Sequence, residues 1–531
     1  MPTEFDAIVV GGGHNGLVCA SYLAKAGLSV CVLERHERVG GAAVTEEFHP
    51  GFRNSVASYT VSLLQPKVIA DLELAAHGLR ILPRPLDNFV PAFDGPGLKL
   101  SGDMQVRLRA IAAHSPADAK SYPDYCAELA GITEWLRPMV LEAPLDPLQG
   151  PGQAWGALRR AAGLRHLTRR QLAAARHLLR GSAGRWLDRH FESDLLKGGL
   201  GFDSVVGHFA SPYQAGSGYL LLHHGFGEVN GKRGAWGHAV GGMGAISDAL
   251  AAAGRRLGVD IRVGMDVEAI EPESSGFTVR LAAGTLRARR IAAAIHPQTL
   301  FLGLLAGAEL PADFLARIRA WRSESATFRM NVALSELPDF LCEPGRGLAE
   351  HHTAGILVAP ELGYLERAYE DADESGYSRV PVIELLIPST IDDSLAPPGA
   401  HVASLFCQHF RRHLPAGQSW EAAKPAAIER IVATVDRLAP NFRRAIVAMD
   451  AYSPADLERR FGLVGGDIFH GVMSTDQLYW SRPARGYAQY RSPIPGLYMC
   501  ASGTHPGGGV TGAPGHNAAQ AIVDDWRGSA A

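Results

Sequence analysis

The sequence predicts an α/β protein in which a mostly parallel, Rossmann-like sheet, assembled from discontinuous segments, is interleaved with an α+β unit. The α+β unit carries an antiparallel sheet and a helical subregion. Three observations predict this. A strand, a glycine turn and a helix open the chain over residues 7–26, four well-separated strand-like runs lie between residues 328 and 406, and a glycine loop over 503–515 again joins a strand to a helix.

Composition narrows the class. The chain has 531 residues, 47% apolar and 20% charged, with a net charge of -3. Such a chain buries a large core without disulfides, which excludes small stapled scaffolds and disordered tails. Its length corresponds to about three domains at roughly 100 to 200 residues each. Near-neutral charge offers no general attraction to nucleic acid, so no nucleic-acid partner is expected. No run reaches the ~18 apolar residues of a membrane span, and the first apolar segment starts at Phe5 without a basic leader. The six cysteines, Cys19, Cys31, Cys126, Cys342, Cys407 and Cys500, form no C-x-x-C pair. They read as buried thiols in a reducing, cytoplasmic setting, with no metal site.

In chain order, Ala7–Val10 reads as a strand, Leu17–Ala26 as a helix and Leu28–Leu33 as a second strand, a βαβ beginning. Residues 115–200, rich in Ala, Leu and Arg, read as several helices broken near 144–152. A glycine-dense tract fills 216–244. A helix over 245–257 and extended runs over 260–263, 277–281 and 291–295 form a second α/β unit. Strands are expected over 328–334, 355–358, 382–387 and 402–406, a helix over 421–438, then the strand 497–500 and a terminal helix over 515–526.

Gly11-Gly12-Gly13-His14-Asn15-Gly16 matches G-x-G-x-x-G directly after a strand and at the start of a helix. Gly11 permits the tight turn, Gly13 leaves the backbone bare for a pyrophosphate, and Gly16 lets the helix pack on the strand. The helix start at His14 and Asn15 offers free N–H groups to the diphosphate. Glu34, 18 residues after Gly16, is placed to accept from both ribose hydroxyls, with Arg35 beside it and Gly40-Gly41 just beyond. The motif alone fits FAD or NAD. The second loop, which includes Gly503, Thr504, His505, Gly509 and Val510, favours the longer cofactor, because FAD extends its flavin half away from the first βαβ unit. The three-domain estimate therefore gives way to two interleaved units. The FAD-binding unit takes residues 1–105, 235–300 and 491–531; a helical cap takes 106–234 and a substrate domain 301–490.

The run Val9–Leu17, Glu34, Gly40-Gly41 and the segment Gly496–Gly509 together resemble the phytoene desaturase family of FAD-dependent oxidoreductases. The resemblance lies closest to a branch named for a pyridine nucleotide-disulphide oxidoreductase domain. Ser211-Pro212, the stretch Leu221–Gly225 and Trp236–Ile246 extend it over essentially the whole chain. The resemblance implies an amine-oxidase-type flavin fold with an apolar channel to the isoalloxazine. It also implies Val267 beside the adenine, Gly503 and Thr504 beside the ribitol and pyrophosphate, and all four glycine tracts (11–16, 40–41, 216–244 and 503–515) at or near the cofactor. One departure stands out: Ser502-Gly503-Thr504 lacks the acidic residue that many such flavoproteins carry there, which leaves the ribitol to main chain or Thr504.

The expected activity is hydride transfer between an apolar, isoprenoid- or lipid-like molecule and flavin N5. Amine oxidation, redox-neutral isomerisation and a non-catalytic flavin-stabilised scaffold are the alternatives. Such chemistry asks the protein mainly for orientation and water exclusion, so no catalytic triad is required. His505, in the flavin loop, and His224 are the candidate proton-exchanging groups; the alternative for each is a structural histidine. His223-His224, read as extended, would point to opposite sides. Tyr59, Tyr219 and Trp236 are candidate aromatic walls. Nine arginines and three histidines face a single acid, Asp188, between Trp155 and His190. That stretch suits peripheral contact with an anionic membrane, a solvated face or a homo-oligomer interface.

Overall fold

The computed structural model describes residues 3–415 and 417–530. The opening strand, Glu4–Val10, lies at the centre of a seven-stranded sheet, parallel to Val30–Leu33 on one side and Gly284–Ala293 on the other. Asp260–Arg262 extends the sheet beyond Val30–Leu33, and Leu497–Met499 pairs in parallel with Ile291–Ala293. The near end of Gly284–Ala293 turns back instead through antiparallel Gly276–Leu281 and Val267–Glu273. Ala7, Ile8 and Val9 are fully buried, as expected for a parallel strand covered on both faces. Strands from three distant stretches of chain thus share one sheet.

The helices His14–Lys25, Gly244–Arg256 and Ala513–Ala530 pack together beside this sheet. The first and last approach so closely that a Cβ on Gly515 would lie 2.1 Å from the Asn15 carbonyl oxygen. Only glycine permits that distance.

A second seven-stranded sheet runs in the order Ile446–Tyr452, Phe328–Leu334, His401–Phe410, Tyr377–Leu386, Gly355–Val358, Asn88–Val90, Leu98–Leu100. It is antiparallel except where Gly355-Ile356 run parallel to Asn88-Phe89. Asn88–Val90 and Leu98–Leu100 were expected in the first FAD-binding segment, 1–105. They belong to the second sheet instead, because Phe89, Val90 and Leu98 bury their side chains in its core. The helical subregion, with Met104–His114, Pro116–Leu136, Pro151–Ala162, Arg169–Arg180, Ala183–His190, Asp194–Gly201 and Gly218–His224 among its helices, contributes to that same core. Serine or threonine at Ser115, Thr168, Ser182 and Ser193 caps four of these helices, Thr168 with Gln171 as a reciprocal capping box.

The glycine tract at 216–244 departs from expectation. Its Gly242 and Gly244 back onto Thr45, in a hairpin of Thr45–His49 and Phe52–Ser55, and none of its glycines lines the cavity described below. Close helix-to-hairpin packing explains Gly242 and Gly244 better than ligand approach. Among the described residues no helix is long and apolar enough to cross a membrane.

Candidate functional site

One elongated cavity of about 330 Å³ runs between the two sheets and brings residues from across the chain to a common wall. At one end stands the glycine turn. Gly11 sits at φ +103°, and a Cβ on Gly16 would come within 2.1 Å of the Gly11 carbonyl oxygen. Gly13 is different: the nearest atom to a Cβ there is Gly41 Cα at 4.0 Å, so its bare face opens onto the cavity. Gly40 N–H donates to Gly12 O at 2.9 Å and holds the Gly40-Gly41 turn against the motif. Helix His14–Lys25 has no side-chain cap, which leaves its first N–H groups for a ligand. Glu34 is buried, and its carboxylate accepts from Gly12 N at 2.7 Å and from His36 N at 3.0 Å. These bonds fix the carboxylate on the cavity wall beside Arg35, with Met265, Asp266 and Val267 nearby.

Further along, His14, Asn15, His296, His470, Ser502, Gly509 and Val510 line the cavity. His14 Nε2, Asn15 Oδ1 and His470 Nδ1 are buried without a hydrogen-bond partner in the protein. Burial pushes His14 down to about 4, opposed in part by its donation to the Gly509 main chain, and pushes His470 down to about 3, with Arg482 and His14 adding to the effect. Both imidazoles are therefore neutral at pH 7 and able to donate. Bare glycine, a free helix start and orphaned polar atoms together suit an extended diphosphate cofactor.

The far end is apolar and aromatic. Tyr59, Val206, Trp236, Phe406, Ile468 and Phe469 form its wall, with Thr60, Ser62, Leu63 and His224. Two buried arginines brace the aromatics from behind. Arg329 lies over Tyr59 at 4.6 Å and Arg84 over Trp236 at 5.3 Å, while Tyr59 stacks on Phe406 with ring centroids 4.8 Å apart. Glu384 joins the two: it accepts from Tyr59 Oη and pairs with Arg84 Nη1 at 3.2 Å, with both members of the pair buried. Burial first, and then the Glu384 charge, raise the Tyr59 phenol well above its ordinary range, so it stays a donor.

Most sequence-expected cofactor residues meet here: Gly11, Gly13, His14, Asn15, Gly16, Glu34, Arg35, Gly40, Gly41, Val267, Gly509 and Val510 all line the cavity. Gly503 and Thr504 do not. Gly503 backs onto the Pro297 ring, and the Thr504 hydroxyl donates to Ala501 O at 2.8 Å. Ser502 takes the wall position and accepts from Asn15 Nδ2 at 3.2 Å. His505 also lies behind the wall, its Nε2 2.7 Å from Met139 O and its ring edge-on to Tyr479, which makes it structural. His223 and His224 are not on an extended segment; they end the helix Gly218–His224. The helix turns His224 toward Trp236 and His223 toward Phe469. Of the aromatic candidates, Tyr59 and Trp236 reach the cavity and Tyr219 does not. Among the described residues no cluster of three metal-ligating side chains exists. Sequence reasoning missed Thr60, Ser62, Val206, Phe406 and the 468–470 segment, since no local motif marks residues that converge only through folding.

The fold and the site define the class as an FAD-dependent oxidoreductase. The family described as flavin containing amine oxidoreductase matches residues 16–327, and the chain belongs to it. Among its relatives, the mouse pyridine nucleotide-disulfide oxidoreductase domain-containing protein 2 is 40% identical over 99% of this chain and 94% of its own. A limonene dehydrogenase component from Castellaniella defragrans is 26% identical over 98% and 95%, and a lycopene-forming phytoene desaturase of a Paracoccus strain is 26% identical over 98% and 97%. A putrescine oxidase variant shares the fold with a TM-score of 0.60 at 16% identity, covering 99% of each chain. The phytoene desaturase resemblance is thus borne out at the level of family. None of the six cysteines is disulfide-bonded, and burial raises the thiols of Cys31, Cys126, Cys342, Cys407 and Cys500, which opposes thiolate chemistry.

Proposed function

We propose that this enzyme dehydrogenates an apolar, isoprenoid- or lipid-like molecule bound at the aromatic end of the cavity. The observation that carries the reading is the character of that end: Val206, Trp236, Phe406, Ile468 and Phe469 continue directly from the cofactor wall. FAD, when bound, supplies the acceptor for a hydride from a substrate carbon. The glycine turn, Glu34 and the 502–510 loop hold the cofactor, and the apolar wall excludes water and orients the substrate. His224, pushed down to about 4 by burial, is neutral at pH 7 and offers one donor and one acceptor at the same wall.

Amine binding would rest on the aromatic faces alone, because the acidic residues on the cavity wall, Glu34 and Asp266, stand at the nucleotide end. An ammonium at the aromatic end would meet no facing carboxylate, since Glu384 is already taken up by Arg84 and Tyr59. The test is anaerobic mixing of the FAD-loaded enzyme with terpenes, polyenes and amines. Bleaching of the flavin band by an unsaturated or saturated isoprenoid is expected; bleaching by amines alone overturns the proposal. Isomerised product without net bleaching identifies the redox-neutral alternative.

Delivery of such a substrate fits contact with an anionic membrane surface. Leu148, Trp155 and Leu158 are exposed on or next to helix Pro151–Ala162, among exposed Arg159, Arg165, Arg169, Arg170 and Arg176. Co-sedimentation with phosphatidylglycerol vesicles, lost in 1 M salt or with Trp155→Ser plus Leu158→Ser, is the expected result. A homo-oligomer that dissociates on those substitutions, with no vesicle binding, assigns the patch to an interface between copies of the chain instead.

A further inference from the structure

The aromatic end of the cavity holds an unexplained polar feature. Ser62 Oγ and both ring nitrogens of His224 line the cavity wall yet have no hydrogen-bond partner in the protein. Ser62 is 4% and His224 8% exposed, so water does little to satisfy them. A buried donor or acceptor left unpaired is costly and calls for an explanation.

The fold holds the pair in place. Ser62 O accepts from Glu228 N at 2.8 Å, just past the helix that ends in His224, and so ties the two segments together. A Cβ on the intervening Gly227 would fall 1.9 Å from Ser62 Oγ, so glycine alone leaves that hydroxyl its place. The neighbouring hydroxyls on that wall are engaged elsewhere, Tyr59 Oη with Glu384 and Thr60 Oγ1 with Gly237 O and Arg84 Nη2.

We infer that Ser62 and His224 form a subsite for an oxygen function, a hydroxyl or carbonyl, on an otherwise apolar substrate. This rests on reading the aromatic end as the substrate site. A hydroxyl needs one acceptor and one donor, and a neutral imidazole with a serine hydroxyl supplies both. A carboxylate would require a facing cation, and the faces of Tyr59 and Trp236 that could hold an ammonium are each already covered on one side by an arginine. Of the nearby charges, Arg84 pairs with Glu384, and Arg329 is engaged behind the wall by Leu405 O and Ser404 Oγ. The substrate class narrows accordingly from hydrocarbon to lipophilic alcohol, aldehyde or ketone. A site built to pair an oxygen also rejects the analogue that lacks it, because the site's own groups are then left bare.

The test uses the FAD-loaded enzyme and two probes of one carbon skeleton, farnesol and farnesene, with binding read from perturbation of the flavin spectrum. Farnesol is expected to bind at least about tenfold more tightly than farnesene, as loss of buried hydrogen bonds predicts. Ser62→Ala and His224→Phe should each reduce that preference and together abolish it, while His224→Gln, which keeps a donor and an acceptor, should retain part. Equal binding of the two probes by the unaltered enzyme overturns the inference without touching the apolar reading, and needs no variant to fold. A preference unchanged in both variants also overturns it, as does a ligand-free flavin spectrum altered by Ser62→Ala, which would assign the pair to the flavin. If neither probe binds, the apolar-substrate reading falls and this inference falls with it.

Discussion

Gly13 and Gly16 sit three residues apart in one turn and are glycine for opposite reasons. A side chain at Gly16 collides with backbone in the protein itself, whereas one at Gly13 meets only the space a cofactor would fill. Gly16→Ala should therefore lower stability by about 1 to 3 kcal/mol in urea unfolding. Gly13→Val should fold with a near-unchanged midpoint yet purify without FAD, and full flavin content in that variant would show the diphosphate lies elsewhere. Arg84 is a second residue whose role is visible only in the fold. Arg84→Ala leaves Glu384 buried without its cation and removes the brace behind Trp236, a loss of about 3 to 5 kcal/mol by the same measurement. The motif made the glycines and Glu34 legible in sequence, because their chemistry depends on neighbours a few residues away. Ser62, Glu384 and Phe406 were not legible, because their partners lie tens to hundreds of residues distant.

Among the elements, strands and helices with strong local patterns were read nearly at their true limits, as at Gly244–Arg256, Phe328–Leu334, Gly355–Val358 and Trp420–Asp436, while the opening strand starts at Glu4, three residues before the expected Ala7. The errors arose where tertiary packing decides. Asn88–Val90 and Leu98–Leu100 are too short to say which sheet they join, and Tyr219–Leu222 is an apolar run that suits a strand as well as the helix it forms. Asp260–Arg262 and Leu497–Met499, only three residues each and expected as strands over 260–263 and 497–500, do pair into the first sheet. The contact between helices His14–Lys25 and Ala513–Ala530 makes an element-level prediction. Gly515→Ala must push the last helix off the first, since the added methyl would sit 2.1 Å from Asn15 O. Faster proteolysis of the C-terminal helix and weaker FAD retention are expected together, because Asn15 also lines the cavity. Intact FAD affinity in a variant with a released helix would separate the two.

For the whole molecule, buried histidines set the response to acid. Burial lowers His14, His208, His224 and His505 to about 4 and His223, His409 and His470 to about 3. A histidine neutral in the fold but free to charge when unfolded leaves stability unaffected above about 6.5 and withdraws it as pH falls from there toward the folded value. Asp203, raised to about 7, and Asp467, raised to about 6, act in the opposite sense, gaining stability as they protonate. Seven groups outweigh two, so the urea midpoint should fall between pH 6.5 and pH 4; a flat profile would show that water or cofactor reaches these rings.

The strand Leu497–Met499 has a consequence for how the enzyme is made. A ribosome releases residues 4–10 long before residues 497–499, yet the two stretches belong to one sheet. Through most of synthesis the nucleotide half lacks its last strand and the Ser502–Val510 wall, although its other six strands are complete by residue 293. FAD binding therefore waits on the last strand of the sheet to be made. Cofactor supply then acts as a late checkpoint on every molecule, and translation-arrested chains ending before residue 497 should carry no bound flavin.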